Sequence, residues 1–168
     1  MTKFVKIAAV AAAVLAATPA VAGTPVGVTG TAPSATARII KPLTLTATGA
    51  LNFGTIVMNG VSDNRTVTLN ADTSITCATE LVCDLNGTVV TYNVRGTNGQ
   101  VVTIIKNTSV LTGSNGGSLT LTPVGQPTVT LTSSGSPGDN FPIGGSIVIA
   151  PTTTDGVYSG TVNVTVDY

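Results

Sequence analysis

The sequence lacks histidine and tryptophan, and it is poor in charge, with 7 basic and 7 acidic residues among 168. Without histidine, neither a Ser-His-Asp triad nor a Cys-His nucleophile can form. So few lysines and arginines also leave no basic patch of the kind that binds nucleic acid. We therefore expect no enzyme built on these triads and no nucleic-acid partner.

The acidic side chains are few and scattered, and several lie beside Asn or Gly, where turns favour them. They are Asp63, Asp72, Glu80, Asp84, Asp139, Asp155 and Asp167. A glycosidase pair of carboxylates stays open as an alternative, although turn and surface roles are favoured. Calcium at Asp139-Asn140 or Asp63-Asn64 is a weaker alternative, because neither segment has the dense acidic spacing of a dedicated site. We predict no catalytic residue, no cofactor and no metal.

Cysteine is equally scarce, with Cys77 and Cys83 as the only two. A metal site is disfavoured, because no histidine and no further cysteine exist to complete a coordination shell. In an oxidising compartment these two residues are expected to form a disulfide, which closes a small loop and stabilises the fold by roughly 2 kcal/mol.

Long apolar runs are missing except near the N-terminus, where residues 1–22 have the features of a secretory signal peptide. Lys3 and Lys6 supply its positive charge, residues 7–17 its apolar core, and Ala20-Val21-Ala22 a cleavage site before Gly23. This core of 11 residues is shorter than the ~20 that a membrane-spanning helix needs. The sequence therefore predicts an exported protein without a transmembrane segment in its mature chain.

The strongest pattern that is present occupies residues 156–168, where apolar and polar residues alternate. The even positions are Tyr158, Gly160, Val162, Val164, Val166 and Tyr168, and the odd positions between them are polar. Side chains of a strand alternate between the two faces of a sheet, so this pattern predicts a half-buried strand. We expect its even-numbered residues to face the core.

Shorter alternating runs fill residues 35–150, and turn signals separate them. Asn-Gly pairs at 59–60, 86–87, 98–99 and 115–116 predict type I′ hairpin turns, which need positive φ at both central residues. Gly144-Gly145 predicts a bulge or a close backbone approach. Residues 35–168 are therefore expected to form one all-β domain of about eight to ten strands, an antiparallel β-sandwich.

Residues Gly23–Ser34 precede this domain as an extension with little charge and no large apolar side chain. One interpretation is a flexible exported terminus, which the composition favours. The other is a donor strand that adds to the sheet of another molecule, with Val26 and Val28 at strand spacing and Gly30 and Ala32 in the same phase.

Four segments together resemble a known bacterial family, the domain of unknown function numbered 4402, found in exported proteins of proteobacteria. They are Ala37–Leu45, Leu51–Val57, Ile143–Ile149 and Gly156–Tyr168. That family is in turn similar to the spore coat protein U and chaperone-usher pilin group. The resemblance implies an immunoglobulin-like sandwich with Greek-key connections that lacks one strand.

The resemblance also implies partners. A periplasmic chaperone would pair with the C-terminal strand, an outer-membrane usher would assist assembly, and the N-terminal extension would complete an identical neighbouring subunit. The first hypothesis is therefore a non-enzymatic fimbria-like or surface-coat subunit at the periplasm or surface of a Gram-negative bacterium. The second is a self-complete exported domain that binds a partner or carbohydrate through its loops.

Overall fold

The computed structural model describes residues 23–168, and the predicted signal peptide lies outside them. The described chain contains strands, turns and loops and no helix, so the predicted all-β class is confirmed. The chain divides into two compact units at Ala37 and Arg38. Residues 23–37 contain no strand, and all the regular structure of the described residues lies in Arg38–Tyr168.

Thirteen strands are present in the described residues, more than the sequence predicts, because several are only two or three residues long. They are β1 (Thr44–Thr48), β2 (Ile56–Met58), β3 (Arg65–Leu69), β4 (Ile75–Cys77), β5 (Leu81–Cys83), β6 (Val90–Arg95), β7 (Val101–Asn107), β8 (Ser109–Gly113), β9 (Ser118–Val124), β10 (Thr128–Thr130), β11 (Asp139–Ile149), β12 (Tyr158–Ser159) and β13 (Asn163–Asp167).

The strands form three sheets, and every strand ladder is antiparallel. The largest sheet has the order β1-β6-β11-β9-β8-β12, and β3, which also pairs with β4, joins it through β11. A second sheet has the order β10-β7-β13, and β2 pairs with β5 in a third. Most partners are distant in sequence, so the pairing depends on the tertiary fold.

The long strand β11 organises the core. Its first half pairs with β6 and its second half with both β3 and β9. Its inward residues contribute to two apolar clusters: Phe141 and Ile143 pack with residues of β6 and β7, while Ile147 and Ile149 pack with residues of β3, β8 and β9. Tyr92 of β6 stacks on Phe141 with ring centroids 5.6 Å apart.

The glycine pair in β11 marks a close approach. Ile143, Gly144 and Gly145 are all buried, so the alternation of buried and less buried residues is interrupted at this pair. A Cβ atom on Gly144 would lie 2.0 Å from the carbonyl oxygen of Leu69. Gly145 faces inward, where a Cβ atom would meet Leu121 and Leu51.

The predicted type I′ turns are wrong. Glycines 60, 99 and 116 have positive φ, but no asparagine among the described residues does, and Gly87 does not either. Of the four pairs, the one at 115–116 connects two strands that pair with each other, β8 and β9. The others connect strands with different partners, because tertiary pairing decides the course of the chain at those points.

The predicted C-terminal strand is present as two strands. Tyr158–Ser159 pairs with β8 in the largest sheet, whereas Asn163–Asp167 pairs with β7 in the second sheet. The chain passes between them at residues 160–162. Gly160 permits this course, since a Cβ atom there would lie 2.6 Å from the carbonyl oxygen of Val110.

Candidate functional site

The candidate site is a groove between two chain segments, which we name the N-terminal wall (residues 41–58) and the C-terminal wall (residues 153–168). Lys41 contacts Tyr168 at one end. Residues 51–58 and 153–162 face each other across a cavity at the other end. The two walls therefore run in opposite directions.

The N-terminal wall is paired along one edge. Strand β1 pairs with β6, Asn52 exchanges two backbone hydrogen bonds with Thr88, and β2 pairs with β5. No ladder forms on the other edge of β1 within residues 23–168. Leu43 and Leu45 point toward the core cluster around Phe141 and are half-buried.

The C-terminal wall is also paired along one edge, by β7 in the case of β13. Val162, Val164 and Val166 pack against the core and are half-buried, while the residues between them are exposed. The predicted phase of this segment is thus the one observed, but these valines are less buried than expected for core positions. Gly160 is exposed, and Tyr158 is half-buried beside the second cluster.

Between the walls, the wide end of the groove is a cavity of about 840 Å³. Its floor consists of core residues: Leu111, Leu119, Leu121, Ile147 and Ile149. Phe53, Met58, Tyr158 and Val162 project from the two walls, and Asp155 is the charged residue among its lining. The groove therefore presents an apolar floor between two strand-like walls.

At the narrow end, the side chain of Tyr168 joins the two walls. Its hydroxyl donates a hydrogen bond to the carbonyl oxygen of Lys41 at 2.5 Å and accepts one from the backbone N–H of Thr97 at 2.9 Å. The side chain is 37% exposed. The neighbouring Gly96 leaves room for it, because a Cβ atom there would overlap the Tyr168 hydroxyl.

The predicted donor residues lie in the other compact unit. Val26 is 92% exposed and Val28 is 69% exposed. The structure therefore leaves both side chains available for a partner, and the donor-strand interpretation stays a prediction.

The predicted disulfide between Cys77 and Cys83 is confirmed, with Cα atoms 6.1 Å apart. It ties β5, the partner of the groove strand β2, to β4. Tertiary pairing alone reveals this relation to the groove, since the spacing of the cysteines contains no information on which strands they join.

Sequence reasoning missed the role of Glu80 at the same place. Glu80 has a positive φ of 72°, and its carbonyl oxygen accepts the N–H of Asn59 next to β2. Its carboxylate forms an ion pair with Arg65 at 3.0 Å and accepts the backbone N–H of Ser62 at 3.1 Å. The hydrogen bond from Arg65, followed by that from Ser62, lowers the pKa of Glu80 to about 2.

Within residues 23–168, no three His, Cys, Asp or Glu side chains are grouped to hold a metal ion. No helix able to cross a membrane is found in that range. Burial raises the pKa of Tyr92, whose hydroxyl donates to the carbonyl oxygen of Val162 at 3.2 Å. Tyr92 thereby supports the C-terminal wall from the core side.

Comparison with known proteins gives a family and no closer relative. No curated protein and no solved structure matches the sequence. The model of one family, described as Domain of unknown function (DUF4402), matches residues 43–168, a range that contains every strand of the structure. The chain therefore belongs to the DUF4402 family.

Proposed function

We propose that this protein is a non-enzymatic, exported structural subunit of the fimbrial or surface-coat kind, completed by a β-strand from an identical subunit. The groove between the two walls is the observation that supports it. Each wall has a strand edge without a ladder in the described residues, and such an edge accepts an added strand through main-chain hydrogen bonds.

The half-buried aliphatic side chains support the same function. Leu43 and Leu45 on one wall and Val162, Val164 and Val166 on the other face a common core cluster. An inserted strand would cover these side chains and remove their remaining apolar surface from water, which is favourable. In this proposal the fold is an immunoglobulin-like sandwich with Greek-key connections that lacks one strand.

The donor in this proposal is Gly23–Ser34 of a second subunit. In an extended strand, Val26, Val28, Gly30 and Ala32 project to one side. Their backbone groups are free to pair with both walls, and their small side chains suit a groove whose own walls supply the larger ones. Before assembly, a periplasmic chaperone covers the groove, and an outer-membrane usher then passes the subunit to the cell surface.

The test compares matched variants of the mature protein, residues 23–168, by size-exclusion chromatography with light scattering. Val26→Asp with Val28→Asp places two carboxylates against the apolar groove, so multimers should be lost. Thr29→Asp with Thr31→Asp adds the same charge on the opposite phase of the donor and should leave assembly intact.

A synthetic peptide of residues 23–34 provides a second arm. It should bind the Val26→Asp, Val28→Asp variant and raise its melting temperature, because a ligand that binds the folded state stabilises it. A wild-type protein that stays monomeric at high concentration and is not stabilised by the peptide would refute the proposal. The self-complete domain would then replace it.

A further inference from the structure

We infer that the groove has one closed end and one open end, and that Tyr168 is a positioning residue that sets how far an inserted strand can advance. The inference rests on the proposed function, since it concerns the same groove and the same donor, Gly23–Ser34 of a second copy. It adds a register stop formed by one side chain.

The closed end is held by a connected set of hydrogen bonds. The Tyr168 hydroxyl joins the Lys41 carbonyl to the Thr97 N–H. Lys41 is itself fixed, because its N–H donates to the Thr97 hydroxyl at 2.6 Å and its ammonium donates to the Ser134 carbonyl at 3.2 Å. A strand that advanced past this point would have to break these contacts and displace the phenol ring.

The open end differs from the closed end in the distance between its walls and in its hydrogen bonds. Residues 51–58 and 153–162 are separated there by the cavity of about 840 Å³. The backbone N–H of Gly54 is bonded to the side chain of its neighbour Asn52, and no backbone hydrogen bond joins the two walls at this end in the described residues. A strand can enter here without breaking protein contacts.

The length of the donor agrees with the distance between the two ends. The C-terminal wall contributes 11 residues from Tyr158 to Tyr168, which is about 36 Å of extended chain. Gly23–Ser34 contains 12 residues. The donor is tethered to its own domain after Ser34, so this tethered part must lie at the open end while Gly23 points toward Tyr168.

The stop determines which donor residues face which groove residues. The donor backbone alone allows slippage in steps of two residues, because Val26, Val28, Gly30 and Ala32 are all small and share one face. A barrier at the closed end removes this ambiguity. Tyr168 therefore fixes the register of a donor whose own side chains specify it poorly.

Disulfide scanning of the register tests the inference in the full mature chain. Asn163→Cys, on the exposed face of β13, is combined in turn with Pro25→Cys, Gly27→Cys and Thr29→Cys on the matching phase of the donor. The yield of cross-linked multimers on non-reducing gels then reports which donor residue lies opposite residue 163.

With Tyr168 present, one donor position should give at least about tenfold more cross-link than its neighbours two residues away, as expected for one fixed strand register. In Tyr168→Ala the donor should advance, so the maximum should move two residues toward Ser34 or spread over two positions. Tyr168→Phe keeps the ring and serves as the matched control, and it should retain the original maximum.

The possible outcomes separate the two proposals. An identical maximum in wild type, Tyr168→Ala and Tyr168→Phe would overturn the register stop while leaving strand addition in place. The absence of cross-linked multimers at every donor position in all three backgrounds would overturn the proposed function itself.

Discussion

Strands β11 and β13 have the same alternating pattern, but they differ in edge pairing and in how deeply their inward residues are buried. Strands β3 and β9 pair with opposite edges of β11 over residues 145–147, and its inward residue Ile147 is 4% exposed. Strand β13 has a ladder on one edge within the described chain, and its inward valines stay half-buried. The comparison shows that alternation specifies which side chains point inward, whereas neighbouring strands decide how deeply they are buried.

A charge placed in each strand tests this comparison with the largest expected effect. Ile147→Asp would bury a carboxylate without a partner and should cost more than about 4 kcal/mol of unfolding free energy, enough to prevent stable folding. Val164→Asp should cost only about 1–2 kcal/mol, since its carboxylate can reach water. Urea unfolding measures both, and Thr165→Asp on the exposed face is the control, with a change within about 0.5 kcal/mol.

Equal losses for Ile147→Asp and Val164→Asp would contradict the comparison. That result would mean that the inward face of β13 is as well covered as that of β11, and the groove would then lack the exposed apolar surface that strand addition requires.

A single added methyl group tests the tight packing of β11. In Gly144→Ala the new Cβ atom would lie 2.0 Å from the Leu69 carbonyl oxygen, so β3 and β11 must separate. We expect a loss of about 1–3 kcal/mol in unfolding free energy, measured in urea. Gly27→Ala is the matched control, because its Cβ atom would meet no atom within 4 Å, and a similar loss in both variants would contradict this explanation.

Removal of the disulfide tests how much this bridge contributes to stability beside the groove, where the apolar side chains are less buried. Cys77→Ser with Cys83→Ser should lower the unfolding free energy by roughly 2 kcal/mol, because the loop between the two strands is no longer closed in the unfolded chain. Alkylation of the wild-type protein without reductant, followed by mass measurement, should label neither cysteine. Two labelled cysteines would show that the bridge is absent from the exported protein.

The sequence predicted those features that depend on local pattern and on chemistry. It predicted the β class, the inward phase of Val162, Val164 and Val166, and the bridge between Cys77 and Cys83, whereas Gly160 and Tyr168, also expected to face the core, are exposed. It did not predict that Tyr158 and Val164 would lie in strands of different sheets. Alternation with a period of two residues is the same in both sheets, and the chain passes between them at Gly160 without changing phase.

The groove was only partly predictable for the same physical reason. Hydrophobic pattern identified Val162, Val164 and Val166, but a strand that lacks a neighbour has the same pattern as one that has two. The opposite wall, with Leu43, Leu45 and Phe53, reads as ordinary core in the sequence. Three of the predicted Asn-Gly turns are wrong because they connect strands whose partners are distant in sequence. The fourth, at 115–116, lies in a four-residue loop between β8 and β9 where Gly116 and Gly117, and not the asparagine, have positive φ.

The smallest expected effect concerns the polar contacts beside β2, which support the groove where apolar burial is incomplete. The pKa of Glu80 is lowered from 4.5 to about 2 by its hydrogen bonds with Arg65 and Ser62. A carboxyl group whose pKa is lower in the folded state stabilises the protein above its unfolded pKa. This contribution is lost as the pH falls from about 4.5 to about 2.

The Arg65 and Glu80 side chains are 25% and 31% exposed, so solvent screens their interaction and the effect should be small. Urea midpoints should fall between pH 4.5 and 2 in the wild type and fall less in Glu80→Gln. Hydrogen exchange should localise the change, with faster exchange at β2 and β5 on acidification and little change in β11. Asp72, whose pKa is also lowered by hydrogen bonds from Ser74, is the control, because Asp72→Asn should keep the Glu80 component. If Glu80→Gln had the same pH profile as wild type, the ion pair would contribute nothing to the stability of this region. The disulfide and the packing of Leu81 would then stabilise β2 without it.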